Sequence, residues 1–172
     1  MFDTVLIAGL GLMGGSMAKT IKARTLSRVL GWNRTRATAE QALADGSIDA
    51  IATEALYKEA DLVIIGLYPQ ATVDWLLENM PKMKKGCVIV DMVGVKQFMV
   101  DHLEQAALDA GVHYVGGHPM AGREFSGLDF ALPTLFDGAS MIFVPTKSSN
   151  ERVLEQLKAY FMSLGFGQTV RC

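Results

Sequence analysis

The residues with the clearest chemical potential lie between positions 116 and 127, in the order Gly-Gly-His-Pro-Met-Ala-Gly-Arg-Glu-Phe-Ser-Gly. Pro119 biases the residue before it, His118, away from the helical region and toward an extended backbone. Gly116 and Gly117 carry no side chain, and we expect them to let another molecule approach the backbone closely. Because the unperturbed imidazole titrates near neutrality, an accessible histidine here could give or take a proton.

Two polar residues follow the histidine. Glu124 is the nearest acid in sequence and could orient the imidazole, gate a pocket or contact a substrate; the alternative is a carboxylate in solvent. Ser126 is a further candidate contact to substrate. The other histidines are interpreted as structural, because His102 falls within a predicted helix and His113 alternates along a predicted strand. The cysteines form no paired motif, and we expect no metal site.

A second glycine cluster lies at residues 9–14, with the order Gly-Leu-Gly-Leu-Met-Gly. It follows a short apolar run and opens a helical pattern, which is the setting that a dinucleotide-binding fingerprint requires. Gly9 permits the tight turn, Gly11 lets the backbone approach a pyrophosphate, and Gly14 allows close helix–strand packing. With Leu12 and Met13, these residues are the predicted phosphate site, at a helix N-terminus that favours anions.

Short apolar runs alternate with helical patterns along most of the chain. We predict strands at 4–8, 28–32, 61–67, 87–90, 112–115, 141–144 and 167–171, and helices from 13, at 37–44, 71–79, 97–110 and 153–164. Residues 117–138 are expected to form a long functional loop. The alternation predicts an α/β protein with a doubly wound, mostly parallel Rossmann-type sheet and helices on both faces. We expect residues 1–172 to form one dinucleotide-binding domain.

The predicted second strand ends in Asn33-Arg34-Thr35-Arg36, where a dinucleotide-binding protein reads the adenosine ribose. Asn33 removes the negative charge that would repel a 2′-phosphate, and Arg34, Thr35 and Arg36 offer donors to one. Cations at a helix start oppose the helix dipole, so a bound phosphate would explain them better than local stability. We therefore predict NADP as the preferred cofactor, with NAD as the other candidate; the alternative is that both arginines are solvated surface residues.

Two later strand ends should border the nicotinamide half of the cofactor, because ligands of open α/β sheets lie beyond the carboxyl ends of the strands. The first carries Leu67-Tyr68-Pro69, and the second runs from Asp91 to Gly94 and on to Lys96. We predict that Leu67, Tyr68, Pro69, Asp91 and Gly94 contact the cofactor. The alternative is ordinary turn chemistry.

Charge and hydropathy exclude several classes of partner. The chain has 16 Lys and Arg against 18 Asp and Glu, a net charge of −2, and no basic block, so we expect no nucleic-acid or membrane partner. The apolar runs are too short to cross a bilayer. A small-molecule substrate and a cytoplasmic location are the expectations.

The segments at 9–16 and 117–127 together resemble the prephenate dehydrogenase family, of which arogenate dehydrogenase is a close relative. The resemblance implies NAD(P)-dependent oxidative decarboxylation of prephenate to 4-hydroxyphenylpyruvate, in tyrosine biosynthesis. It implies that His118 hydrogen-bonds the ring hydroxyl and accepts its proton while hydride leaves the same carbon. Glu124 matches the family's active-site glutamate, and Gly94 and Ser126 would border the substrate.

The chain departs from the family in two ways. Gly94 stands where the family often has a serine that helps to hold the substrate hydroxyl and the histidine. The family's C-terminal helical domain, which forms the dimer and carries an arginine for a substrate carboxylate, is absent from this chain, and Arg123 is only a speculative substitute. We therefore expect cofactor binding with little or no activity from these residues alone.

Two other functions share the glycine loop. The first motif also resembles the 3-hydroxyisobutyrate dehydrogenase group, so one alternative is a β-hydroxyacid dehydrogenase-like reductase, which would rely on a catalytic lysine farther along the chain. The other is a non-catalytic NADP-binding module. An exposed patch formed by the apolar side chains between Leu128 and Phe136 would indicate a further domain or subunit.

Overall fold

Strands and helices alternate along the computed structural model, which describes residues 1–172. The strands are β1 (Thr4–Ala8), β2 (Arg28–Trp32), β3 (Ala50–Ile51), β4 (Leu62–Ile65), β5 (Val88–Asp91), β6 (His113–Pro119), β7 (Ser140–Pro145) and β8 (Gln168–Arg171). The α-helices are α1 (Leu12–Arg24), α2 (Arg36–Ala44), α3 (Glu54–Tyr57), α4 (Pro69–Asn79), α5 (Lys96–Ala110) and α6 (Glu151–Ser163). Short 3-10 turns occupy Met80–Lys82 and Leu128–Phe130.

All eight strands belong to one sheet with the order β3-β2-β1-β4-β5-β6-β7-β8. Every neighbouring pair is parallel except β6 and β7, which are antiparallel. Parallel neighbours are usually joined by a crossover helix. The connection from β6 to β7 contains only a 3-10 turn, and there the chain returns in the opposite direction. The predicted doubly wound, mostly parallel α/β sheet is confirmed. No helix is long and apolar enough to cross a membrane.

Side chains that alternate along the strands pack into two separate hydrophobic cores, one on each face of the sheet. On one face Val5 and Ile7 belong to a cluster of 28 buried residues that also includes the apolar sides of α1, α2 and α6. On the other, Leu6 and Ala8 belong to a cluster of 21 buried residues with α3, α4 and α5. Burial on both faces explains the continuous apolar runs in the sequence.

The sequence did not predict β3 and α3, because elements of two and four residues carry too little periodicity to be recognised. The main correction concerns β6, which continues through Pro119, so that the expected loop begins only at Met120. His118 therefore lies on a strand, opposite Ile142 of β7.

The two glycines before His118 have a different role from the one predicted. A Cβ added at Gly116 would lie 3.0 Å from Cδ of Lys96, and one added at Gly117 would lie 2.3 Å from the carbonyl oxygen of Asp91. Both glycines are buried. They admit neighbouring parts of the same chain rather than a ligand.

The carboxyl ends of the parallel strands meet at one edge of the sheet. Connections from β1 lead outward through β2 to β3, whereas the later strands β4, β5 and β6 extend the sheet on the other side of β1. This reversal beside β1 is the point where open α/β sheets leave a crevice for a ligand.

Candidate functional site

The glycine loop at the end of β1 is tightly packed at two positions and open at a third. Gly9 has a φ of +94°, and an added Cβ would lie 2.7 Å from the carbonyl oxygen of Gly66. At Gly14 an added Cβ would lie only 1.7 Å from the carbonyl oxygen of Gly9, so no other residue fits there. At Gly11 no atom of the chain lies within 4 Å of an added Cβ. The open face of Gly11 is the side from which a ligand can reach the backbone.

Helix α1 begins in this open space without a capping side chain. Its N-cap is Gly11, no side-chain hydrogen bond closes its first turn, and that turn contains no acidic residue. The first-turn N–H groups, at the half-buried Leu12 and Met13, are therefore left for an external acceptor. This combination fits the pyrophosphate of a dinucleotide.

Asn33 has a structural task that the sequence did not reveal. Its Oδ1 accepts a hydrogen bond of 2.9 Å from the Leu10 N–H, and its Nδ2 donates to the Thr35 carbonyl at 3.0 Å. The side chain therefore ties the end of β2 to the glycine loop. Asn33 still brings no negative charge that would repel a 2′-phosphate, but both ends of its amide are engaged within the chain.

The next three residues face solvent. Arg34, Thr35 and Arg36 are all exposed, and Arg36 reaches Glu40 through a contact of 3.3 Å between exposed groups. Arg34 makes no salt bridge or side-chain hydrogen bond. Thr35 is the N-cap of α2 but its hydroxyl caps no N–H, and the first turn of α2 holds no acid. The start of α2 is thus positively charged and uncapped.

The strand end after β4 presents a single aromatic ring. Tyr68 is 85% exposed, whereas Leu67 and Pro69 on either side are half-buried. The Leu67 carbonyl accepts a hydrogen bond of 3.1 Å from the Thr72 hydroxyl, and Pro69 begins α4. The backbone here is therefore fixed while the Tyr68 ring stands free in solvent.

The strand end after β5 corrects one prediction. The Asp91 side chain is fully buried, and its carboxylate accepts hydrogen bonds from the Val93 N–H at 2.8 Å and from the Tyr114 hydroxyl at 2.5 Å. The same carboxylate pairs with the Lys96 ammonium. We predicted that Asp91 contacts the cofactor, but its carboxylate is fully used inside the protein, where it organises the loop between β5 and α5.

Burial shifts the pKa of both side chains that contact the Asp91 carboxylate, Tyr114 and Lys96. It raises the pKa of Tyr114, an effect that the adjacent Asp91 carboxylate increases, so Tyr114 stays a neutral donor. Burial lowers the pKa of Lys96, and the charge of Asp91 opposes that change. The Lys96 side chain is 16% exposed and its stem lies over Gly116. Lys96 was not among the predicted site residues; an aspartate at a strand end followed by a lysine at the next helix start is the signal that could have identified it.

His118 lies beside this group on the same face of β6 as Tyr114 and Gly116, since alternate residues of a strand share a face. The residue is half-buried, and its Nδ1 is buried without a hydrogen-bond partner. A Cβ added at Gly94 would lie 3.5 Å from Cε1 and 3.8 Å from Nδ1 of the imidazole. The structure therefore brings Gly94 and His118 together, and position 94 offers no side chain to the unpaired Nδ1.

The two other predicted substrate residues are not held against the histidine. Residues 122–127 are exposed, and neither Glu124 nor Ser126 makes a side-chain hydrogen bond or salt bridge. Arg123 is occupied locally: its Nη1 donates to the Phe130 carbonyl at 2.6 Å, and its guanidinium lies 5.2 Å from the centre of the Phe125 ring. Arg123 is thus not presented as a free carboxylate ligand.

The remaining histidines are satisfied by their own surroundings. The His102 Nδ1 lies 2.8 Å from the Phe98 carbonyl one turn earlier in α5, and the His113 Nδ1 lies 2.6 Å from the Ser148 carbonyl. Among the apolar residues after Gly127, Leu128 and Phe136 are buried, whereas Phe130 and Leu132 are about two-fifths exposed, at 41% and 37%. The apolar loop therefore packs at its ends and exposes part of its middle.

The buried ion pair at the sheet edge gives a stability prediction. Replacing Lys96 with Met leaves the Asp91 carboxylate buried without its cation, and we expect a loss on the order of 3 kcal/mol in the free energy of unfolding. Denaturant unfolding at neutral pH measures it. The matched control is Lys147→Met, because Lys147 is 82% exposed and its contact to Glu104 is 3.8 Å; we expect a change below about 1 kcal/mol there. Equal, small losses in both variants would contradict the role assigned to Asp91.

Comparisons with known proteins show what the chain is similar to. A family model described as "Prephenate dehydrogenase, nucleotide-binding domain" matches residues 17–168, which include the histidine segment and begin just after the glycine motif. The chain is 38% identical over 162 residues to the prephenate dehydrogenase of Bacillus subtilis (strain 168), covering 92% of this chain and 43% of that protein. It spans about half the length of the curated relatives it matches.

Solved structures show the same architecture. Prephenate dehydrogenase from A. aeolicus in complex with hydroxyphenyl propionate and NAD+ superposes with a TM-score of 0.89 at 26% identity, over 100% of this chain and 60% of that one. The arogenate dehydrogenase of Synechocystis gives a TM-score of 0.88 at 25% identity, over 98% of this chain and 59% of that one.

Proposed function

Because the chain belongs to the prephenate dehydrogenase family, as its nucleotide-binding domain, we propose that it binds a nicotinamide dinucleotide at the glycine loop and supplies the histidine for oxidative decarboxylation of prephenate or arogenate. The observation that carries the proposal is the placement of a half-buried, unpartnered imidazole on the same sheet edge as an open, uncapped glycine loop. A bound nicotinamide supplies the oxidising power for such a reaction.

The glycine loop fits the dinucleotide through shape and through free donors. The only loop glycine with open space above it is Gly11, and the N–H groups of the first turn of α1 have no capping partner. A pyrophosphate placed there would accept hydrogen bonds from the backbone and lie at the positive end of the helix dipole. The exposed ring of Tyr68 and the loop at Gly94 lie at the neighbouring strand ends and would border the nicotinamide half.

The role of His118 follows from which ring nitrogen is accessible. Nδ1 is buried, so a ligand reaches the ring through Nε2. With Nε2 unprotonated, the imidazole can accept the proton of a substrate hydroxyl as hydride leaves the carbon that bears it. The β6–β7 pairing fixes the backbone at His118, so the base is presented without a mobile loop. Glu124 and Ser126 are proposed as substrate contacts that form when the segment around them closes over the ligand.

We propose NADP as the preferred cofactor. Arg34 has no partner within the chain, Arg36 is exposed, and no acid at the end of β2 opposes a 2′-phosphate. Two free cysteines, Cys87 and Cys172, suit the reducing cytoplasm, which we propose as the location.

The first prediction of the proposed function concerns the glycine loop. Gly11→Ala should fold normally, because an added Cβ meets no atom within 4 Å, yet the methyl group would occupy the side from which the pyrophosphate approaches. We expect dinucleotide affinity to fall by about tenfold or more, equivalent to about 1.4 kcal/mol, with an unchanged melting temperature. Calorimetric titration measures the affinity. Gly122→Ala, also with nothing within 4 Å, is the control; equal affinities in the two variants would place the dinucleotide elsewhere.

The second prediction concerns cofactor choice. Arg34→Ala should weaken NADP binding by about tenfold, the value of one exposed charge-assisted contact of roughly 1–1.5 kcal/mol, and leave NAD binding unchanged. Titration of both dinucleotides measures this difference. Arg152→Ala, an exposed arginine on α6, is the matched control. A wild-type preference for NAD, or an equal loss for both dinucleotides in Arg34→Ala, would refute the proposal.

The third prediction concerns turnover by residues 1–172. Because Glu124, Ser126 and Arg123 are not held at the histidine, we expect dinucleotide binding without robust production of NAD(P)H from prephenate. Absorbance at the reduced-nicotinamide band measures turnover. Robust turnover would contradict this expectation, and its loss in His118→Asn would then assign the proton transfer to His118. If neither dinucleotide binds, the function proposed for the glycine loop fails.

A further inference from the structure

The segment Leu128–Pro133 lies directly across helix α1, one turn beyond the glycine loop. The Leu132 N–H donates a hydrogen bond of 3.0 Å to the Ser16 hydroxyl. The Thr20 hydroxyl lies 3.1 Å from the Pro133 carbonyl and 2.7 Å from the Ser16 carbonyl of its own helix, so its proton is shared between the two. Ser16 and Thr20 are fully buried. They stand one helical turn apart, so both hydroxyls point to the same side of α1 and contact consecutive residues of the segment.

Gly15 makes room for this contact. A Cβ added at Gly15 would lie 2.8 Å from Cδ1 of Leu128 and 3.1 Å from Cβ of Ala131. The space beside Gly15 is therefore filled by Leu128 and Ala131 of the same chain. The missing side chain of Gly15 seats the segment on the helix, whereas the hydroxyls of Ser16 and Thr20 recognise the segment's backbone.

The same segment also reaches α2. The Gln41 amide donates to the Asp129 carboxylate at 2.6 Å. Leu128–Pro133 thus contacts both helices whose N-termini flank the proposed dinucleotide site. Any ligand that fixes α1 relative to α2 would also fix both supports of this segment.

The residues immediately before the segment have no comparable support. Residues 122–127 are exposed, and Gly127, with a φ of +92°, separates them from the anchored turn at Leu128–Phe130. Their contacts are local, as in the stacking of Phe125 on Phe130 with 4.6 Å between ring centres. The position of Glu124 and Ser126 is therefore determined from one side by β6 and from the other by the anchor on α1.

We propose that Gly15, Ser16 and Thr20 are positioning residues that couple dinucleotide binding to the order of residues 120–132, which carry Glu124 and Ser126. This inference rests on the proposed dinucleotide site. Coupling is reciprocal, so a substrate that orders the segment would in turn tighten dinucleotide binding. The helix that holds the phosphates thereby also helps to assemble the substrate side of the site.

Hydrogen exchange on the whole 172-residue chain, free and saturated with NADP, tests the proposal. We expect NADP to slow exchange across 120–132 by about fivefold, the lower range of coupling between sites. In Ser16→Ala this ligand-induced slowing should disappear, while NADP affinity falls by no more than the same factor because the phosphate contacts remain. Gly15→Ala, which displaces Leu128 instead of removing a hydrogen bond, should give the same loss by a different route.

Three outcomes separate the possibilities. Ser27→Ala removes a buried hydroxyl that hydrogen-bonds the Phe2 carbonyl instead, and it should keep the full ligand-induced slowing. If Ser16→Ala speeds hydrogen exchange across 120–132 by the same factor in the free and the NADP-bound protein, the contact is only structural and the coupling is refuted. Normal NADP binding without slower exchange in 120–132 refutes the coupling alone, whereas failure of the wild type to bind either dinucleotide refutes the proposed site and the coupling with it.

Discussion

The buried carboxylate of Asp91 holds together the part of the sheet edge on which the site depends. It binds the Val93 N–H of its own loop, the Tyr114 hydroxyl on β6 and the Lys96 ammonium at the start of α5. A buried charge without such partners would be strongly unfavourable. Burial of the Asp91 carboxylate therefore requires its contacts with all three donors. Their arrangement fixes the β5–α5 loop against β6, and it is this loop that places Gly94 beside the imidazole of His118.

Around that fixed group the two halves of the site are built differently. The proposed dinucleotide side consists of backbone: a glycine loop packed tightly at Gly9 and Gly14, open at Gly11, and held to β2 by Asn33. The proposed substrate side consists of side chains: His118 on a strand, and Glu124 and Ser126 on an exposed segment. The glycine loop is packed and held to β2 by contacts within the chain, whereas Glu124 and Ser126 have no partners.

The tight packing that the glycine spacing predicted at Gly9 and Gly14 is present in the structure, whereas the approach of a pyrophosphate to Gly11 stays a prediction. The sequence predicted the meeting of Gly94 and His118 from a family pattern. The prediction that Asp91 contacts the cofactor was wrong, because the sequence pattern of an aspartate at a strand end does not distinguish a side chain that faces a ligand from one that faces the interior. The prediction for Gly116 and Gly117, whose neighbours Lys96 and Asp91 come from another strand connection, was also wrong. Such contacts depend on register across the sheet, which a single sequence does not display.

The antiparallel pairing of β6 with β7 has a consequence for how the histidine can change over evolution. On a strand, the direction of a side chain is set by counting residues, so Tyr114, Gly116 and His118 share one face and Val115, Gly117 and Pro119 share the other. A loop can absorb an insertion, but one residue added between Tyr114 and His118 would turn the imidazole to the opposite side of the sheet, toward the core that contains Met141. An insertion or deletion of an odd number of residues in β6 before His118 would therefore remove the proposed base from the site, even when every residue of the motif is kept.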